Sequence, residues 1–132
     1  MGATEGSQDR NFDAKGLSHL RVNLHQVQIE IRGWDKPDVA VHCDDPRIRM
    51  EMRDGVLAID DRKLEPKPTG RLLVQLPPTV AVTLETISGD VKVHDLRSRA
   101  TIESVSGEVD VGRIQGGLNL ATVSGDISLA EL

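Results

Sequence analysis

The phrase ISGDVKV, Ile87 to Val93, returns as VSGEVDV at Val105 to Val111 and as VSGDISL at Val123 to Leu129. Each copy starts eighteen residues after the last. A fixed interval of this length is the mark of a repeat architecture, in which one small unit stacks on its neighbours. Aligned by eighteen, the apolar residues fall into columns. Ile87, Val105 and Val123 form one, Val91, Val109 and Ile127 the next, and Val93, Val111 and Leu129 a third. Leu96, Ile114 and Leu132 follow, then Ala100 with Leu118 and Ile102 with Leu120. The polar residues between them vary, so the expectation is that all of these columns face a shared interior.

A shorter rhythm of nine runs inside the eighteen. Two apolar residues two apart, such as Val91 and Val93, make a strand with alternating faces. A third apolar residue follows three positions later, and then a polar triplet: SGD, RSR, SGE, QGG or SGD. Gly89, Gly107, Gly116 and Gly125 occupy the middle of four triplets, where a tight corner calls for positive φ. Ser88, Gly89, Ser106, Gly107, Ser124 and Gly125 are therefore the expected structural corners. Their serines, and the acids that follow, are expected to satisfy the corner's own backbone donors.

Two architectures share this rhythm. In an antiparallel meander, residues eighteen apart are separated by an intervening strand, roughly 9.6 Å; in a solenoid they stack directly, roughly 4.8 Å apart. Asp95, Arg113 and Glu131 alternate in sign at this interval, as do Lys92 and Asp110. Direct stacking requires such compensation and a meander does not. The predicted fold is all-β: a right-handed parallel β-helix, or β-solenoid, with coils of about eighteen residues. Residues 1–11, small and polar, read as a flexible tail, and 12–132 as one solenoid domain whose regular repeats span 82–132.

The amino-terminal half is strand-rich and more irregular. HLRVNL, VQIEI, VAVHC, IRMEM, VLAID, LLVQL and VAVTL alternate or run apolar, punctuated by glycine, proline and aspartate. Spacings of eighteen or nineteen recur from Val22 to Val41, Ile29 to Ile48 and Val41 to Ile59. They suggest that the stacking continues back through the chain, for about six coils and a rod on the order of 30 Å long. Asp61 to Gly70, with Pro66 and Pro68, reads as a protruding loop.

Composition narrows function by exclusion. A formal net charge of −5, with no clustered basic face, argues against a phosphate-backbone partner. The chain has one phenylalanine, one tryptophan and no tyrosine, too few rings for a stacking platform. Trp34 reads as a cap on one end of the core. Cys43 is the sole cysteine, so no intramolecular disulfide forms, and its place after Val39 and Val41 marks it as a small buried hydrophobe. No run approaches a membrane span and no signal-peptide core precedes the domain, so no membrane insertion is expected of this chain.

The repeated SGD-apolar-x-apolar unit, together with IEIRGWDKPDVAV (Ile29 to Val41), DGVLAID (Asp54 to Asp60) and LLVQLPPTVAVTLETISGDV (Leu72 to Val91), resembles the bacterial putative-adhesin family. This is a family of β-strand-repeat domains without a known activity. The resemblance spans roughly Phe12 to Leu132. It implies a β-repeat fold, a place at the cell envelope or surface, and a structural part without catalysis.

The stacked acids Asp90, Glu108 and Asp126 are the one weak metal candidate, since a hard cation such as Ca²⁺ could bridge like charges one strand apart. The GGxGxD signature of calcium β-rolls is missing, and the favoured reading is that these acids serve the corner backbone. Asp44–Asp45 and Asp60–Asp61 close strands ahead of loops, with nothing to place them in a cleft. His19, His25, His42 and His94 lack zinc spacing, and no nucleophile elbow surrounds the three serines. No catalytic residue, cofactor, metal or small-molecule substrate is therefore expected. The functional expectation is a non-catalytic structural or interaction module of a bacterial envelope system, with a protein partner or self-association through its ends. A partner-binding domain of an envelope-stress system is the alternative, and a polysaccharide-acting β-helix enzyme the more remote one.

Overall fold

The structure, a computed structural model, describes residues 8–130. It contains strands and turns only. In chain order these are β1 (Gln8–Asp13), β2 (His19–Asn23), β3 (Gln28–Gly33), β4 (Asp38–Cys43), β5 (Arg49–Arg53), β6 (Val56–Asp60) and β7 (Arg71–Leu76). Then follow β8 (Ala81–Thr86), β9 (Val91–Leu96), β10 (Arg99–Ser104), β11 (Val109–Ile114), β12 (Gly117–Thr122) and β13 (Ile127–Ala130). They form two sheets, in the orders β1-β4-β7-β3-β9-β11-β13 and β12-β10-β8-β2-β6-β5. β1 starts at Gln8, inside the stretch read as a tail, and pairs along its length with β4.

From β8 onward the chain alternates between the sheets, and every pairing is parallel. Val109 lies beside Val91 and Ile127, and Val111 beside Val93 and Leu129. In the other sheet Ala100 lies between Val82 and Leu118, and Ile102 between Leu84 and Leu120. These registers exclude the meander over this stretch. The predicted sign alternation is present as contact: an Arg113 guanidinium N–H donates to the Asp95 carboxylate at 3.1 Å, and Asp110 is the register partner of Lys92. Glu30, on the other flank of Lys92, extends that alternation.

The core lies between the sheets, where the period-two alternation sends one face of each strand. Val91, Val93, Leu96, Ala100, Ile102, Val109, Val111 and Ile114 are all buried, as the columns predict. Each such valine, leucine or isoleucine side chain removed from water contributes about 1.5–3 kcal/mol. One column departs from expectation. Ile87, Val105 and Val123 are 45 %, 40 % and 80 % exposed. They fall one residue past the inward Thr86, Ser104 and Thr122, and alternation turns them outward. Ile127 and Leu129 sit on the last strand of their sheet and are half exposed, while Leu118 and Leu120 are partly buried. Leu132 and Glu131 lie outside the described residues.

The amino-terminal half stacks in a different order from the one its spacings suggest. β2 and β3 sit between β6–β7 on one side and β8–β9 on the other, all parallel. Val22 therefore neighbours Ile59 and Leu84 rather than Val41, which lies in the other sheet opposite Val74. Ile48 precedes β5 and Ile29 neighbours Leu72 and Val91. Burial pattern alone does not select among apolar strands as neighbours, so recurrent spacing misleads here. Two antiparallel additions close this end: β4 and β1 beyond β7, and β5 beyond β6. The β5–β6 hairpin turns on Asp54 and Gly55, both at positive φ (54° and 79°), as a two-residue primed turn requires.

Residues 61–70 do not simply protrude. Asp61 and Pro68 are buried, and the Asp61 carboxylate accepts the His25 backbone N–H at 3.1 Å and meets His25 Nδ1 at 2.9 Å. Trp34 is not at an end of the core either. It follows β3, in the middle of its sheet, and its indole N–H closes the β3–β4 turn on the Asp38 carbonyl at 2.7 Å.

Candidate functional site

The SGD corners are the first place to look for chemistry. Their glycines are required more by close approach than by φ. Gly107 and Gly125 have φ of 119° and 157°, whereas Gly89 and Gly116 are not at positive φ. A Cβ on Gly89 would lie 2.0 Å from the Val27 carbonyl oxygen, on Gly107 2.7 Å from that of Gly89, and on Gly125 2.3 Å from that of Gly107. The corners nest backbone on backbone, and only glycine lets them.

The serines stitch each corner to the strand or corner beside it, and Asp90 does the same, where the expectation had them serving their own corner. Ser88 N–H donates to the His25 carbonyl, Ser106 N–H to that of Ile87 and Ser124 N–H to that of Val105. The Ser88 and Ser106 hydroxyls reach the same carbonyls, His25 and Ile87, at 3.4 Å. The Asp90 carboxylate accepts the Glu108 backbone N–H at 3.0 Å. Asp90, Glu108 and Asp126 do follow one another along the corner column, each exposed. Among the described residues no group of three or more His, Cys, Asp or Glu is gathered closely enough to hold a metal ion.

The other candidates are dispersed. His19 Nε2 meets the Thr83 hydroxyl at 2.6 Å, and burial followed by Arg21 lowers its pKa. His42 bridges Asp9 on β1 through Nδ1 and Asp44 through Nε2 at 3.4 Å, and the Asp9 hydrogen bond leads in raising its pKa. Asp45 is held below the usual carboxylate range, chiefly by hydrogen bonds from Arg47. Cys43 is fully buried, its thiol pushed up to about 11 by desolvation. That makes it an inert packing residue. His94 approaches Asp110 at 3.8 Å. Asp44–Asp45 and Asp60–Asp61 do not converge: Asp44 accepts the Arg71 N–H, while Asp61 is sealed against His25. The Asp61–His25 pair was not legible, because no motif marks an aspartate as buried.

What the fold does gather is an apolar groove beside the corners. It has a volume of about 420 Å³ and is walled by the outward Ile87, Val105 and Val123 and by Glu85 and Glu103. Thr86, Ser104 and Thr122 lie along its floor. The sequence carries the signal in the three-member apolar column, but the repeat alone does not distinguish an outward column from a core one.

A two-sheet β-repeat domain, cornered by nested glycines and offering an apolar groove and sheet edges, belongs to the class of β-strand-repeat domains. The chain is a member of the Toastrack DUF4097 family, whose model matches residues 47–131. Among solved structures it is similar to a putative cell adhesion protein from Clostridium sporogenes, with a TM-score of 0.53 and 10 % identity over 96 % of this chain and 99 % of that one. A putative adhesin from Parabacteroides distasonis is a looser likeness, with a TM-score of 0.39 and 13 % identity over 93 % of this chain and 74 % of that one. No curated protein matches the chain. No helix among the described residues is long and apolar enough to cross a membrane.

Proposed function

We propose that this chain is a non-catalytic, adhesin-like interaction module of a bacterial cell envelope that self-associates through the edge formed by β12 and β13. The supporting observation is an asymmetry of edges. β1 carries Asp9, Arg10 and Asp13, and β5 carries Arg49, Glu51 and Arg53, the charges that keep sheet edges from pairing with other chains. β12 and β13 carry no charge at all and expose Ile127 and Leu129. The name of the structural neighbour from Clostridium sporogenes, a putative cell adhesion protein, supports the envelope placement.

The same reading treats residues 12–132 as one domain. Successive strand pairs within 82–132 are right-handed solenoid coils of about eighteen residues, supported by the parallel registers and the handedness of parallel crossovers. Asp90, Glu108 and Asp126 act in it as backbone partners, not cation ligands. Sedimentation velocity over a hundredfold concentration range tests the module, with EDTA in one arm and millimolar Ca²⁺ in the other. Growth of dimers in both arms, abolished by Leu129→Asp, supports edge association. A monomer throughout overturns it, and growth only with calcium reassigns the acids to a metal site.

A further inference from the structure

Five observations meet at the groove beside the SGD corners. The column that should have filled the core stands outside instead: Ile87, Val105 and Val123 follow one another at the strand spacing of about 4.8 Å. Their order is fixed by backbone bonds, Ser106 N–H to the Ile87 carbonyl and Ser124 N–H to that of Val105 at 2.8 Å each. An ordered apolar row on the surface is a candidate contact surface.

Beside it run two carboxylates. Glu85 and Glu103 are direct register partners in a parallel pair, one strand apart, where like charges repel. Asn23 donates to Glu85 at 3.1 Å, which partly relieves that side chain, but Glu103 has no counter-ion among the described residues. No lysine or arginine lines the groove. Finally, its floor includes Thr86, 3 % exposed, whose hydroxyl, like that of Thr122, has no hydrogen-bond partner among the described residues. Buried hydroxyls without partners are costly unless something supplies one.

We infer that this groove docks a segment of a partner protein that carries lysine or arginine beside aliphatic side chains. The aliphatic groups lie along Ile87, Val105 and Val123, and the cations relieve the Glu85–Glu103 repulsion. Charge complementarity selects this occupant over an acidic or neutral one. The inference rests on the reading of the chain as an interaction module; the groove takes in Ala121 and Thr122 of β12, but on the face that β12 shares with β8 and β10 and not on the free pairing side of β12 and β13.

The test uses fluorescence anisotropy with a short labelled peptide of alternating lysine and leucine, compared with alternating glutamate–leucine and lysine–serine peptides. The lysine–leucine peptide is expected to bind saturably, with amide shifts in NMR spectra confined to the groove. Val105→Ser and Glu103→Lys, both on exposed side chains, should each weaken binding by about tenfold or more. Leu129→Asp should leave it unchanged while abolishing self-association, which separates failure at the groove from failure at the edge. Equal binding of the glutamate–leucine peptide overturns the proposal, as does undiminished binding by Val105→Ser or its loss in Leu129→Asp. Binding to neutral lipid vesicles in place of peptide would reassign the groove to a membrane surface and overturn it too.

Discussion

A Cβ on Gly89 would sit 2.0 Å from the Val27 carbonyl oxygen, with the Val27 carbonyl carbon at 2.8 Å. Both are backbone, so neither side can yield without moving a strand. Gly89→Ala is therefore expected to cost about 2–4 kcal/mol in urea denaturation, an overpacking penalty at a site that cannot relax. Gly16, at φ 82° with open space around it, isolates the conformational term alone. Gly16→Ala should cost only about 1 kcal/mol. Equal costs at the two positions would refute the nested-corner argument. His42 supplies the pH dependence. Its pKa is raised, mainly by the hydrogen bond to Asp9, so its protonated form is favoured in the folded state. That contribution is complete below the unfolded value of 6.5 and is lost as pH rises through the higher folded value. His19 is lowered and acts in the opposite sense, losing stability as pH falls. The comparison that isolates His42 is thus wild type against His42→Gln. The gap between their melting temperatures should be widest near about pH 5 and close toward about pH 8. A constant gap would mean the bridge to Asp9 does not form.

Among the elements, β10 and β13 carry the same kind of sequence under opposite conditions. Ile102 on β10 is fully buried, with strands on both sides, whereas Leu129 on β13 is 52 % exposed at a sheet edge. Ile102→Ala should cost about 2–4 kcal/mol through lost transfer energy and the cavity left behind. Leu129→Ala should change stability by less than about 0.5 kcal/mol. The loop between β6 and β7 depends on one buried carboxylate. Removing it strands the His25 backbone N–H, whereas the bond from Lys67 Nζ to the Asp61 main-chain carbonyl at 3.2 Å does not involve the carboxylate. Asp61→Ala is expected to cost about 1–3 kcal/mol, the penalty for an unsatisfied buried donor. Proteolysis should then begin within 61–70. A variant as stable as the wild type would show that water replaces the carboxylate.

For the whole molecule the governing feature is polarity from one end to the other. β2 and β3 lie within their sheets, with parallel partners on both sides, while among the described residues β5 and β13 pair on one side only. In the dilute monomer, native-state hydrogen exchange should therefore be slowest in β2 and β3 and fastest in β5 and β13, and β13 should gain protection as the protein associates. Uniform protection would indicate that the edges are covered, as they would be in an oligomer. The two ends also differ in chemistry, charged at β1 and β5 and charge-free at β12 and β13. A charge-free edge finds no complement in a charged one, so association should be like-with-like and should stop at a dimer. Species beyond a dimer in sedimentation would contradict that symmetry.

The sequence by itself determined the all-β class, the corners and the burial of Val91, Val93, Leu96, Val109, Val111 and Ile114, because an exact repeat imposes the same environment on each copy. It determined the compensation of Asp95 by Arg113 for the same reason, since stacked side chains must tolerate each other's charge. Tertiary structure alone decided that β2 and β3 lie between β6–β7 and β8–β9. Long-range neighbours are chosen by the packing of whole sheets, and an apolar strand carries no label for its partner. It also decided that Ile87, Val105 and Val123 face outward. A repeat says only that three residues share an environment; a single residue's shift in a period-two alternation says whether that environment is the core or the solvent. Asp61 makes the same point in reverse, a carboxylate drawn inside because His25, thirty-six residues earlier in the chain, is there to meet it.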